Sequence, residues 1–189
     1  MVAALHKSPS LAEWLADPPA HTEWIDGKLA NKDDMTAKHG RTQSRLSRYW
    51  GNFVLEHSVG GEVYTETPCR TTNQGRRPDV AYLTPALLTQ YGADFATLPQ
   101  AFPLIAEIIS PSDPWETAMA KATEYFAAGC LEVWFLLPES QHIFVQTQDG
   151  ISSFSSGDIA CTQKVLSGFT IAVDELLGDS QPEGNGKAK

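Results

Sequence analysis

The chain has 189 residues, 42% of them hydrophobic and 10% aromatic, which suits one domain with a real core and excludes a disordered protein. A net charge of −9 counts against tight, non-specific nucleic-acid binding over a broad face, because phosphate contacts need a basic surface. No apolar run reaches the length of a membrane span, and Met1 to Ser10 lacks the long apolar core of a secretory signal. The cysteines, Cys69, Cys130 and Cys161, are odd in number and lack paired spacing. They point to neither a disulfide framework nor a thiolate zinc site, and a reducing cytoplasm is the expected compartment.

In chain order, Leu11 to Leu15 reads as a short amphipathic helix that ends before Pro18-Pro19. Thr22 to Leu29 reads as a hairpin, since Asp26-Gly27 between apolar flanks is a strong two-residue turn signal. Thr36 to Leu55 is the longest predicted helix: Leu46, Tyr49, Trp50, Phe53 and Val54 recur at helical spacing, and Gly60-Gly61 provides a stop. Strand character follows, from Glu62 to Thr67 and, after a polar loop through Asn73-Gln74-Gly75, from Arg77 to Leu83. Residues 84–103 are expected to be a loop with one helical turn. Leu104 to Ile109 is a third strand, and Trp115 to Ala128 a helix capped at Gly129, with Ser112 or Asp113 capping its start.

Leu131 to Leu137 is nearly all apolar and so predicted to be a central strand. His142 to Gln146 and Ile151 to Phe154 form a hairpin around Asp149-Gly150, Phe169 to Val173 adds an edge strand, and Val173 to Leu177 a helical turn. Trp24, Trp50, Trp115 and Trp134 fall in apolar patterns and read as core. The strand–helix–strand unit from Leu104 to Leu137 implies one parallel crossover in an otherwise antiparallel sheet. The expected organisation is an N-terminal helical segment (1–21), one α/β domain (22–178) and a disordered tail (179–189).

Three charged residues stand in apolar or turn settings. Asp79 follows Pro78 where a turn enters a strand, Glu107 interrupts the apolar run Leu104-Ile105-Ala106-Glu107-Ile108-Ile109, and Lys121 lies on the next helix. A carboxylate in a buried strand is costly unless it is paired or binds a metal. Two on neighbouring strands beside a cation suit a divalent metal and a phosphate, with the Ile108 carbonyl as a third oxygen ligand. Each residue also has a structural reading. Asp79 can close a turn, Glu107 can pair with an arginine of the long helix, and Lys121 can face solvent. No glycine-rich phosphate loop, H-E-x-x-H or G-x-S-x-G motif offers another chemistry.

The pattern resembles the PD-(D/E)xK nuclease superfamily and its restriction-endonuclease-like fold. More closely, it is similar to the Uma2 family of endonucleases. The segments that carry the resemblance are Glu23-Trp24-Ile25-Asp26-Gly27-Lys28-Leu29, His39, Arg77-Pro78-Asp79-Val80-Ala81 and Glu107-Ile108-Ile109-Ser110-Pro111-Ser112. Lys121 to Gly129 and Glu132-Val133-Trp134-Phe135 complete them, from about Thr22 to Leu177. The resemblance implies a central mixed β-sheet flanked by helices with extra β-hairpins. It implies Mg²⁺, or Mn²⁺, held by Asp79, Glu107 and Ile108, with catalysis by Asp79, Glu107 and Lys121. Glu23, His39 and Tyr125 are expected as auxiliaries, and Arg41, Arg45 and Arg77 as contacts to a nucleic acid, expected to be DNA.

Two departures stand out. Ile109 occupies the superfamily's usual lysine position, for which Lys121 looks like a migrated replacement, and Thr117 stands where relatives often carry an acid. The alternative is a non-catalytic binding or assembly module on the same fold. A homodimer is expected in either case, with the hairpin around Asp149-Gly150 as one candidate surface.

Overall fold

The structure, a computed structural model, describes residues 8–32 and 35–179; the expected tail from residue 180 onward lies outside the described residues. Helix α1 (Leu11–Ala16) opens with a capping box, in which the Ser10 hydroxyl accepts from Glu13 N while the Glu13 carboxylate accepts from Ser10 N. α1 buries Trp14 completely against Gly75, where an added Cβ would stand 2.3 Å from the indole. Strands β1 (Thr22–Ile25) and β2 (Lys28–Asn31) pair around Asp26-Gly27, whose φ angles of 48° and 82° suit the expected tight turn. Helix α2 (Ala37–Glu56) follows, with the Thr36 side chain accepting from His39 N at its start.

The next segment departs from the sequence reading. β3 (Glu62–Thr65) stops early, because Glu66 takes a left-handed φ of 52°. Two short strands, β4 (Cys69–Arg70) and β5 (Gly75–Arg76), occupy what reads as loop, and β5 pairs with both β1 and β4. The single strand expected from Arg77 to Leu83 therefore splits. Pro78 carries no N–H and cannot continue a ladder, so β6 (Val80–Leu83) begins beyond it in a different sheet.

Helix α3 (Pro85–Tyr91) is longer than the one turn expected, with proline favourably placed in its first turn. β7 (Leu104–Ile108), α4 (Trp115–Ala127) and β8 (Glu132–Leu137) form the crossover, and β7 and β8 are parallel. Pro114, not Ser112 or Asp113, is the N-cap of α4, and Asp113 instead accepts from Ser110 N. β9 (His142–Thr147) and β10 (Gly150–Ser155) are the expected hairpin. β11 (Ile159–Cys161), unexpected from the sequence, pairs with β12 (Thr170–Ala172), and α5 (Val173–Leu177) closes the described chain.

Six strands form the main sheet in the order β10-β9-β8-β7-β6-β3, and β2-β1-β5-β4 form a smaller one. Alternating residues of the central strands face two cores. On one side Trp134 and Leu136 pack under Leu46 and Trp50 of α2, the two indoles meeting edge to face at 6.0 Å. On the other, Val133 and Phe135 pack under Ala118, Ala122 and Tyr125 of α4. Of the four tryptophans read as core, Trp50 and Trp134 are fully buried, Trp24 is half-buried and Trp115 is 38% exposed. The described chain is a mixed α/β fold whose main sheet packs α2 on one face and α4 on the other.

Candidate active site

The two acids come together because of strand register. β6 pairs with β7 through Val80 and Ala106, so the next step places Asp79 opposite Glu107, and the one after places Pro78 opposite Ile108. Glu107 faces α4, on which Lys121 and Tyr125 sit four residues apart and so share a face. The Tyr125 hydroxyl donates to Glu107 Oε1 at 2.7 Å, and Lys121 Nζ lies 3.0 Å from the same carboxylate. Lys121 also reaches Glu23 Oε1 at 2.9 Å, which ties β1 to the site. The arginine partner that Glu107 was given as a structural alternative is replaced by this lysine and tyrosine.

Asp79 is held on its other side. Its Oδ2 accepts from Ile108 N at 2.7 Å, and its Oδ1 accepts from Lys32 Nζ at 2.7 Å. His39 Nε2 stands 3.5 Å from the same Oδ1, buried and without a hydrogen-bond partner. Lys32 in turn contacts both carboxylate oxygens of Glu66, at 2.9 and 3.0 Å, and the Arg77 carbonyl at 2.9 Å. Gln43 of α2 donates to Glu66 Oε1 and to the Asp79 carbonyl, so the helix fixes both acids. A cavity of about 540 Å³ opens here, lined by Glu23, Lys32, His39, Asp79, Glu107 and Lys121 among others.

The fields in the site push the two central acids apart. Burial would raise Asp79, but the His39 ring and the Lys32 ammonium outweigh it and hold the carboxyl well below its usual range. Burial raises Glu107, the Asp79 charge adds to it, and Lys121 only partly opposes the rise. Glu23 is also buried, yet the charges of Lys121 and Arg76 bring it down to about 2. Lys121 moves the other way: burial works against its charge, but Glu107, Glu23 and Asp79 together raise it well above the usual lysine range.

The donor set fits a hard divalent cation. Among the described residues, no three His, Cys, Asp or Glu side chains gather into a ready-made metal cage. What the site offers is two opposed carboxylates and a main-chain oxygen. Ile109 N donates to Leu136 of β8, so the N–H and C=O of Ile108 face the β6 side, toward Asp79. Proline opposite Ile108 has no N–H to give that carbonyl, which leaves an oxygen without its ladder donor. Mg²⁺ keeps several waters and is commonly held by one or two carboxylates, so this set suffices.

Of the residues singled out from the sequence, the structure brings Asp79, Glu107, Ile108, Lys121, Glu23, His39 and Tyr125 into one cluster. It does not bring the three arginines there. Arg41 pairs with Asp179, and Arg45 donates to the carbonyls of Leu176 and Gly178 beyond α5. The Arg77 guanidinium is buried against the carbonyls of Thr22, Glu66 and Pro19. Arg45 and Arg77 donate to backbone oxygens of the scaffold, whereas Arg41 pairs with the exposed Asp179 carboxylate.

Sequence reasoning missed Lys32, Glu66, Gln43 and Arg76. Arg76 bridges Glu23 and Glu124, contacting Glu124 at 2.7 and 2.8 Å. A small signal existed for Arg76, which neighbours the Arg77-Pro78-Asp79 run. Lys32 and Glu66 lie at a strand end and in a turn, where a charge is unremarkable.

Comparisons with known proteins bear on the fold and the family. No match was found among curated proteins. A crystal structure described as that of "a putative nuclease belonging to DUF820", from Anabaena variabilis ATCC 29413, superposes with a TM-score of 0.78. The alignment covers 89% of this chain and 97% of that one at 19% identity, which establishes the restriction-endonuclease-like fold. The model of one family, described as "Putative restriction endonuclease", matches residues 8–174. With most of its length matched, from the first described helix to α5, the chain belongs to the Uma2 family.

Proposed function

We propose that this protein is a metal-dependent endonuclease that hydrolyses phosphodiester bonds of nucleic acid, with DNA as the substrate and Mg²⁺ or Mn²⁺ as the cofactor. The observation that carries this reading is the placement of Asp79 directly opposite Glu107 at the cavity, with Lys121 on one flank. Asp79, Glu107 and the Ile108 carbonyl would hold the ion. A divalent ion bound there supplies charge relief on the phosphate and a more acidic water.

The remaining chemistry belongs to the chain. The Glu107, Glu23 and Asp79 charges favour the protonated form of Lys121, which would contribute positive charge beside the phosphate. Its three N–H donors meet Glu23 Oε1 and both oxygens of Glu107, so an incoming phosphate oxygen would take over one of these contacts. From one face of α4, Tyr125 and Lys121 donate to the Oε1 and Oε2 of Glu107 and orient it, while Ile108 N and Lys32 fix Asp79. His39 Nε2, 3.5 Å from Asp79 Oδ1 on the cavity lining, supports that acid from α2. Glu23 holds Lys121 in place from β1. The protein is proposed to work in the cytoplasm as a homodimer; β10 ends the main sheet and offers one pairing edge, which sedimentation would test.

A second reading, a non-catalytic binding or assembly module, is favoured by one observation. Each oxygen of Asp79 and Glu107 already has a donor within the protein. Cleavage of supercoiled plasmid with Mg²⁺ or Mn²⁺, beside Glu107→Gln and Asp79→Asn, separates the two. Metal-dependent nicking lost in both variants supports the nuclease. Nicking at the wild-type rate by either variant refutes the assigned site, and a folded wild type that neither nicks nor binds Mn²⁺ supports the binding module.

A further inference from the structure

We propose that Lys32 is a resident cation filling what would otherwise be a second metal position, so that the protein operates with one divalent ion. The proposal rests on the metal-dependent reading above and goes on to specify the site's stoichiometry. Its basis is that Asp79 stands between two donor sets of the same make-up. On one side are Glu107 and the Ile108 carbonyl; on the other are Glu66 and the Arg77 carbonyl. The second set is closed around the Lys32 ammonium, with four oxygens between 2.7 and 3.0 Å. An ammonium has only three N–H donors, so the cage offers more oxygen than a lysine can use.

The cage is built, and does not depend on a wandering side chain. The Lys32 main chain is pinned by its own N–H to the His21 carbonyl at 2.8 Å. Glu66 is fixed by Gln43, and its carbonyl takes the Arg77 guanidinium at 2.7 Å. Charge balance points the same way. The linked ion pairs join five carboxylates (Glu23, Glu66, Asp79, Glu107, Glu124) to three cations (Lys32, Arg76, Lys121). With every carboxylate ionised and His39, 3.5 Å from Asp79, neutral, that cluster lacks two positive charges, which one divalent ion supplies. A second ion beside Lys32 would overfill it, and like charges at such separations repel strongly in a buried setting.

The test is the number of Mn²⁺ ions bound per chain, counted by calorimetric titration and by the loss of the free-ion resonance signal. Wild type is expected to bind one ion. Lys32→Met, which keeps the length of the side chain and removes its charge, is expected to bind two and to gain more thermal stability from Mn²⁺ than wild type does. In Lys32→Met/Glu66→Gln one carboxylate of the second set is gone, and the count should return to one. Two ions on wild type, or one on folded Lys32→Met, overturns the proposal. If Lys32→Met does not fold, the wild-type count alone decides it. No ion on folded wild type overturns the metal-dependent reading itself, an outcome distinct from a count of two.

Discussion

Glu107 and Glu132 are both buried carboxylates on adjacent parallel strands, yet they are satisfied in opposite ways. Glu132 opens β8 and faces the α2 side; it accepts from the Trp134 indole at 2.6 Å and from the consecutive main-chain N–H groups of Gln163, Lys164 and Val165. Glu107 lies near the end of β7, faces α4, and takes its donors from the side chains of Lys121 and Tyr125. Backbone and indole N–H groups carry no titratable charge and cannot leave, so Glu132 is a latch that folds residues 163–165 onto the sheet. Lysine and tyrosine can rearrange when a ligand arrives, and Glu107 borders a cavity. A buried acid in an apolar strand therefore does not by itself mark a site. The kind of donor that meets it does.

The contrast is broken most sharply by losing activity without losing the fold. Glu107→Gln should reduce metal-dependent cleavage by roughly 10³-fold or more while changing stability by no more than about 1 kcal/mol, read from plasmid nicking and urea unfolding of one preparation. Glu132→Ala should do the reverse. With four donors stranded, it is expected to cost about 3–5 kcal/mol in urea, and to leave Mn²⁺ affinity unchanged as long as the protein remains folded. A Glu132 variant that binds Mn²⁺ less well while fully folded would merge the two roles.

Acid sensitivity sharpens the same division. Glu23 titrates at about 2 in the folded protein against an ordinary 4.5, so its stabilisation is complete above about 4.5 and is lost as pH falls toward 2. The contribution is on the order of 3 kcal/mol, and Glu23→Gln should flatten the acid limb of the stability curve over that window. Glu107 acts in the opposite sense: its raised carboxyl makes the folded state less stable as pH climbs past the unfolded value, so Glu107→Gln should remove that decline. The smallest effect is expected from Tyr125→Phe. It deletes one hydrogen bond to Glu107, costs about 1–2 kcal/mol in urea, and lowers cleavage less than Glu107→Gln does.

What the sequence made legible was local. A charge interrupting Leu104–Ile108 stands out against an apolar run, and the strand–helix–strand order from Leu104 to Leu137 implies the parallel crossover that β7 and β8 form. The order of motifs added Lys121, which no pattern within α4 singles out. The remainder of the site depends on contacts distant in sequence. Lys32 meets Asp79 across 47 residues, and a lysine at the end of a hairpin strand looks like any solvated lysine. Arg77 failed in the other direction. Beside Arg76 and before Pro78 it reads as a phosphate contact, but its guanidinium closes three carbonyls where the small sheet meets the chain. Gly75-Arg76 reads as loop because a two-residue strand has no periodicity; pairing with Trp24 makes it β5.

Trp14 has a reach beyond its own helix. It fills the space over Gly75, and Gly75 is followed by Arg76, which grips Glu124 and also Glu23, the partner of Lys121. A chain begun at Thr22, where a domain boundary reads naturally from the sequence, would leave an indole-sized hollow over β5, at a cost of about 3–5 kcal/mol. The slackened strand would carry Arg76 with it and release the electrostatic clamp on Glu23. Residues that never touch the cavity thus act as its keystone, and a truncation meant to preserve the site is expected to need α1 with its Ser10 cap.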